Sequence, residues 1–362
     1  MFDSERRIEL PIDSQAERIY LQEGILRRVS RAFYLSIRVL PPDLREPIGL
    51  AYLLARIADT IVDKSLLTIP ERRKFLSLFQ EQLTNRTSDD VLRSFSYKLD
   101  KVIGSKLDQT LLEMLPKTWD MLQSLPESDA DHVRRVVMTL TQGMKLDLDT
   151  FRSENASEIT AISTTEELDK YIYLVAGCVG EFWTDIMMLH TPSLKEWDRE
   201  LMTERGVRFG KALQLTNILR DLPKDLLIGR CYLPADKLAT EGLNPADLLD
   251  KTNAWTARPA LVDGIEMALD HFIGAEEYIL AIPRQKLRLR LATLWPMLIG
   301  LGTLGALARN QIWLDPDRPS KVRRRWVYYM MAGSVIGAQS DSMVRAWIAR
   351  LRSSIISHIR SS

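Results

Sequence analysis

Cysteine is almost missing from this chain: Cys178 and Cys231 are the only two in 362 residues. Two thiols so far apart exclude a disulfide framework and make a reducing cytosol the default compartment. An excess of charge of one sign is missing too. At a formal net charge of +1, no basic footprint for nucleic acid is read. The four histidines, His132, His190, His271 and His358, have no zinc spacing to one another or to cysteine. The opening Met1-Phe-Asp-Ser-Glu-Arg-Arg is charged and has no apolar stretch, so no secretory signal is read. Alternating strand patterns, internal repeats and low-complexity linkers are lacking as well.

What is present is a high apolar content, 46%, distributed at helical spacing almost throughout. The expectation is an all-α, single-domain helical bundle over residues 1–362, with a core over about 20–335 and a basic C-terminal helix over 336–362. The pattern predicts a first helix over 16–39, stopped by Pro41 and Pro42. Asp43 is expected to cap a second helix running through Asp63. A third starts at Pro70, with proline in its tolerated first turn. The stretch from Asn85 to Asp90 reads as a polar loop, and 226–258 as loop-rich. Further helices are predicted over 108–125, 130–151, 166–190, 196–222, 260–281, 285–309 and 319–352.

Leu291 to Ala308 is an uncharged run of eighteen residues, which touches the threshold for a membrane span. Its proline, Pro296, with Gly300, Gly302 and Gly305, favours a buried core helix instead. The tail beyond Asp341 carries Arg345, Arg350, Arg352 and Arg360 and no acid. It reads as a solvated helix face, with a peripheral membrane contact as the alternative.

The stretch that draws attention is Asp59-Thr-Ile-Val-Asp63. Two carboxylates four residues apart share one helix face, where like charges repel. A cation is expected between them. Tyr52, Arg56, Asp59 and Asp63 form one stripe, and the other positions from Leu50 to Val62 are apolar apart from Thr60. A solvated face with an Arg56–Asp59 ion pair is the plainer alternative. On a helix apolar nearly all round, carboxylates need a cation partner or a metal. Hard oxygen ligands on one face suit Mg²⁺, which bridges to substrate phosphates.

The spacing recurs at Asp221-Leu-Pro-Lys-Asp225, where Gln214, Asn217, Asp221 and Asp225 form a second stripe with Arg220 beside it. Asn217 adds an oxygen ligand, and an arginine fork can grip phosphate. Pro223 is expected to bend this helix and to set Asp225 off the stripe. Two such pairs, each with arginine and amide neighbours, point to a diphosphate held by magnesium.

These residues resemble the squalene and phytoene synthases, the head-to-head prenyl synthases. The resemblance rests on Ser30-Arg-Ala-Phe33, Leu40-Pro-Pro-Asp-Leu-Arg45, Ala51 through Asp63, Tyr171 through Gly180, Leu213 through Asp221 and Gly229-Arg-Cys-Tyr-Leu-Pro234. It implies a class I isoprenoid synthase fold, one bundle around a central active-site cavity. It implies two farnesyl diphosphates as substrates, with Asp59, Asp63, Asp221 and Asp225 as metal-binding aspartates and Asn217 beside them. Arg31, Arg56 and Arg220 match basic residues that contact diphosphate or a nicotinamide cofactor. Ser30, Phe33, Tyr52 and Gln214 fall in the substrate-binding motifs. Tyr171 matches a tyrosine that assists proton transfer in forming a cyclopropyl intermediate. Taken by spacing alone, Tyr171 opens an apolar stripe with Val175, Cys178 and Phe182, and a core tyrosine is the alternative role.

Val62 stands where squalene synthases often carry a third acid, and Pro223 with Lys224 departs from the family's second motif. On product, the expectation is squalene, made through presqualene diphosphate and reduced by NADPH. Lys321 and Arg323 resemble a basic segment that squalene synthases use for the NADPH phosphate; a solvated charge run is the alternative. The rivals are a phytoene, dehydrosqualene or presqualene diphosphate synthase that does not reduce, a non-catalytic assembly member of the fold, and a membrane-anchored helical protein. Gly300-Leu-Gly302-Thr-Leu-Gly305 fits the dinucleotide pattern literally but has no preceding strand and no acid about 20 residues on, so close helix packing is expected there. The expected location is cytoplasmic, at most peripheral at a membrane surface.

Overall fold

A computed structural model describes residues 24–29, 31–63, 67–84 and 106–361; for 31, 32 and 106–108 it describes the backbone only. Ser30, the expected helix start before residue 24 and the polar stretch Asn85 to Asp90 lie outside the described residues. The first helices are α1 (Leu26–Val29), α2 (Arg31–Val39), α3 (Pro42–Val62), α4 (Ile69–Thr84), α5 (Lys106–Glu113), α6 (Leu115–Ser124) and α7 (Glu127–Thr150). They are followed by α8 (Thr165–Ile172), α9 (Cys178–His190), α10 (Arg199–Leu226), α11 (Ala235–Thr240), α12 (Arg258–Ala281), α13 (Leu287–Arg309), α14 (Arg324–Gly337) and α15 (Asp341–Arg360). The architecture is all-α, as the periodicity implied. Among the described residues the one exception is a parallel pair, β1 (Thr160–Ala161) with β2 (Arg230–Cys231).

The core falls into two apolar clusters. One gathers α3, α4, α6, α7 and α9 around Leu53, Leu76, Val137 and Ile186. The other gathers α10, α12, α13 and α15 around Leu219, Phe272, Leu298 and Ile348. A central cavity takes its walls from both.

Helix α3 starts at Pro42, whose missing N–H is harmless in a first turn. Asp43 therefore lies inside the first turn, not at the cap, which falls on Pro41. The predicted helix over 166–190 is interrupted by a π-helical turn, Tyr173–Gly177. One extra residue per turn shifts the phase of the helix beyond it. The expected stripe is split: Tyr171 belongs to the second cluster, Cys178 and Phe182 to the first.

Helix α10 begins on Asp198, whose carboxylate accepts from the Leu201 amide at 3.1 Å. It runs 28 residues and continues through Pro223 to Leu226. Proline removes one backbone bond, but Leu222, Pro223 and Leu226 are buried on both sides of the gap. Asp225 stays on the same helix as Asp221, while the cavity lining takes Gln214 and Asn217 of the expected stripe and not Asp225. The predicted helix over 319–352 is two helices. The first ends at Gly337, and Ser340 caps α15, accepting from the Met343 amide at 3.4 Å.

The apolar run Leu291–Ala308 lies in α13, within a span 78% buried in the bundle. A second span long and apolar enough by composition, Thr165–His190, is 50% buried. Gly300 of the glycine motif leaves room for Phe272, whose Cζ would be 2.7 Å from an added Cβ. Gly302 likewise faces Val322 and Trp326, so these glycines serve helix packing.

Candidate active site

Backbone contact sets the site. A Cβ added at Gly180 would lie 1.8 Å from the Gly206 carbonyl oxygen, and one at Gly210 would lie 2.2 Å from that of Ala176. Only glycine permits α10 to lie this close to the π-turn and α9. The consequence is a cavity of about 410 Å³ between α3, α7, the π-turn, α9, α10 and α13.

Its deep walls are apolar, with Leu140, Val175, Val179, Phe209 and Pro296. The Tyr278 hydroxyl there is occupied by Thr184 at 3.0 Å. Phe33 and Tyr52 stack at 5.5 Å near the other end, and the Tyr52 hydroxyl donates to the Val29 carbonyl at 3.3 Å. Arg56, Asp59, Gln214 and Asn217 complete the lining. Arg56 is paired with Asp59 one turn along α3, as the plainer sequence reading had it. On α10, Arg220 donates to its neighbour Asp221, Nε to Oδ1 at 2.9 Å.

A buried ionic cluster was not assigned any role from sequence. Asp147 on α7 is 6% exposed. Arg230 Nη1 donates to its Oδ2 at 2.8 Å, and the Tyr232 hydroxyl donates to its Oδ1 at 2.7 Å. Residues two apart on a strand share a face, and the β1–β2 pair fixes that face: the Thr160 amide donates to the Gly229 carbonyl at 3.0 Å, and Ile162 to Cys231 at 3.1 Å. Gly229, at φ +79, makes the turn into β2. Tyr171 stacks on Tyr232 at 5.2 Å beside this cluster. Arg72 forks Glu154, which lies 3.7 Å from Arg230.

The charges of Asp63 and Asp225 also reach this cluster. Burial, and then the charge of Asp221, push the Asp225 carboxyl up to about 7. Burial raises Asp147 as well, against the pull of Arg230 and Tyr232. Burial, with Asp147 beside it, holds the Tyr171 hydroxyl firmly protonated. Arg230, though buried, keeps its charge beside Asp147, and the charge of Asp63 favours it as well.

The structure brings Phe33, Tyr52, Arg56, Asp59, Gln214 and Asn217 to the cavity. Tyr171, Asp63 and Asp225 gather instead around Asp147 and Arg230. The Arg31 side chain lies outside the described residues. Lys321 and Arg323 line a second cavity of about 540 Å³. Its α13 residues, Gly302, Gly305 and Arg309, project from the side of α13 opposite Ala292 and Pro296 of the first. Of the missed residues, Arg230 and Tyr232 carried a signal: their period-two spacing inside Gly229 to Pro234. Asp147 carried little, since its near acid, Asp149, is two residues on and faces another side of the helix.

Among the described residues no three acid, histidine or cysteine side chains form a ready metal cage. Mg²⁺ does not need one, because it is usually held by one or two carboxylates plus substrate phosphates. The residues present fit that use. Burial first, and then the charge of Asp221, lift Asp225 to about 7, and a divalent cation would relieve the part that is repulsion.

An all-α bundle with acid-bearing helices set at an apolar cavity defines an isoprenoid synthase. The comparisons narrow the class. The family model for squalene/phytoene synthase matches residues 26–326. The chain belongs to the squalene/phytoene synthase family. It is 33% identical over 222 residues to a bifunctional lycopene cyclase/phytoene synthase of Leptosphaeria maculans, covering 60% of this chain and 35% of that one. It is 27% identical over 285 residues to the 15-cis-phytoene synthase of Synechocystis, covering 76% of this chain and 72% of that one. The chain thus spans about a third to two fifths of the length of the bifunctional relatives. Its fold is similar to that of TcSQS solved with the ligand E5700, at TM-score 0.74 and 19% identity, over 96% of this chain and 98% of that one.

Proposed function

We propose that the chain joins two farnesyl diphosphates head to head, through presqualene diphosphate, and that NADPH reduces the intermediate to squalene. The observation that carries the condensation is the placing of Asp59, Arg56 and Asn217 at one apolar cavity, with Asp63 and Asp225 close by around Arg230. Bound Mg²⁺ supplies charge neutralisation to the leaving diphosphate. Asp59, Asp63, Asp221 and Asp225 would hold it, with Asn217 beside them. Arg56 and Arg220, now turned to Asp59 and Asp221, exchange those contacts for phosphate oxygens. The apolar walls keep water from an allylic cation. Closing the cyclopropane expels a proton from the joined carbon; the departed diphosphate is the base that takes it, relayed by Tyr171, whose hydroxyl passes its own proton on as it accepts the substrate's, with its ring held by stacking on Tyr232.

The squalene product rests on the first motif and on the Lys321–Arg323 segment as a seat for the NADPH phosphate. A second reading is favoured by the names of the curated relatives: condensation of geranylgeranyl diphosphate to phytoene, with no reduction. Both readings place the protein in the cytosol. Incubation with farnesyl or geranylgeranyl diphosphate and Mg²⁺, with and without NADPH, then mass spectrometry of extracted hydrocarbons, separates them. Squalene formed only with NADPH is the expected result. A hydrocarbon unchanged by NADPH overturns the reductive step, and no consumption of either diphosphate overturns the whole reading.

A further inference from the structure

Helix α14 packs on α13 and α15 through Trp326, Met330 and Ser334, and Trp295 Nε1 donates to Ser334 Oγ at 2.8 Å. Its other side is unusual for a surface helix. Tyr328 is 63% exposed, Tyr329 78%, Val335 44% and Ile336 69%. At 3.6 residues per turn these four fall on one stripe with Arg324, Arg325 and Ala332. A contiguous apolar stripe left in water marks an interaction surface.

The charge around it has one sign. From Arg318 to Ser340 there are five cations and no aspartate or glutamate. Among the described residues Lys321, Arg323, Arg324 and Arg325 form no ion pair, and the last two are exposed. Arg309, Lys321, Arg323 and Arg325 also rim the second cavity, whose floor is made by Gly305, Trp326 and Ile355.

We propose that this face of α14 docks on an anionic lipid bilayer. The tyrosine rings and Ile336 enter the headgroup region, and the arginines that open the helix meet lipid phosphates. Apolar residues with amphipathic rings on one face, next to unpaired cations, are what an interfacial helix requires. A second copy of the chain fits less well, because the stripe offers no carboxylate to a partner's arginines. The contact lies on α14, not on the basic tail. Helix α15 buries Val344, Ile348 and Ile355 in the bundle, and its Arg345 and Arg352 lie 3.9 and 3.8 Å from Glu276.

The test is co-sedimentation of the full chain with vesicles of phosphatidylcholine alone and of phosphatidylcholine mixed with phosphatidylglycerol, at low and high salt. Binding to the anionic vesicles only, weakened by salt, is expected. The variant Tyr328→Ser, Tyr329→Ser, Ile336→Ser and the variant Arg324→Gln, Arg325→Gln should each lower partitioning by about tenfold or more, with unchanged circular dichroism. If the apolar variant loses helix, the exposed arginine pair decides. Wild type that ignores anionic vesicles, or that binds both kinds equally, overturns the proposal, as does undiminished binding by the variants. So does a dimer that the apolar variant dissociates while neither form binds vesicles.

Discussion

Replacing Arg230 with methionine keeps much of its apolar stem and removes the charge that faces Asp147. The carboxylate is 6% exposed and would keep the hydrogen bond from the Tyr232 hydroxyl. Breaking a buried pair by removing one partner costs about 3–5 kcal/mol. Unfolding entropy of about 2.1 cal/mol/K per residue gives about 0.76 kcal/mol/K for a chain of this length, so Tm should fall by about 4–7 °C. The loss should depend on pH. Asp147 is already raised above the ordinary carboxylate value, with Arg230 pulling it down, so the variant raises it further. A group whose folded pKa is raised adds stability below its unfolded pKa and loses that stability as pH rises through the folded value. The deficit of Arg230→Met relative to wild type should therefore be largest at neutral pH and shrink towards about pH 4, where Asp147 takes a proton in both forms. Adding Asp147→Asn should recover most of it. Differential scanning calorimetry across that pH range reads the effect. A deficit that is flat with pH, or a double variant as unstable as the single one, would refute the claim that Arg230 is held there by the charge of Asp147.

Asp225, at about 7 in the folded chain without a cation, should make stability fall as pH rises through neutrality; Asp221→Asn should flatten that fall, as followed by thermal melts against pH. Gly180→Ala places a Cβ 1.8 Å from a backbone oxygen, so it should cost about 3 kcal/mol or more and yield little folded protein by circular dichroism. Tyr171→Phe should cut turnover at least tenfold while costing only about 1 kcal/mol of stability; equal losses in both would make Tyr171 a packing residue. Asp59→Asn should abolish turnover with Tm unchanged or higher, since one of two like charges is removed, and a large fall in Tm would argue for a structural role instead.

Much of the fold was legible because helical periodicity and proline punctuation are local properties. Pro41 and Pro42 marked the start of α3, and Pro70 fell in the first turn of α4. The failures trace mainly to contacts distant in sequence. The π-turn at Tyr173–Gly177 adds a residue that period counting does not see, and it is held by glycine contacts made with α10, far away in sequence. At Pro223 the helix continues despite one lost hydrogen bond, with Leu222 and Leu226 buried on either side. At the site, the aspartate pairs and arginines showed themselves by spacing. Asp147 did not, because its partners Arg230 and Tyr232 come from β2 and the residue after it, more than eighty positions on.

On the proposed function, Asp59, Asp63, Asp221 and Asp225 together hold a magnesium-bound diphosphate beside the apolar cavity that Asp59 lines. The most direct measurement is release of inorganic diphosphate from farnesyl diphosphate, by wild type and by Asp59→Asn and Asp225→Asn, as Mg²⁺ is titrated. The account predicts release that requires Mg²⁺ in wild type and is lost in each folded variant. Release that persists after chelation, or in both variants, would contradict it.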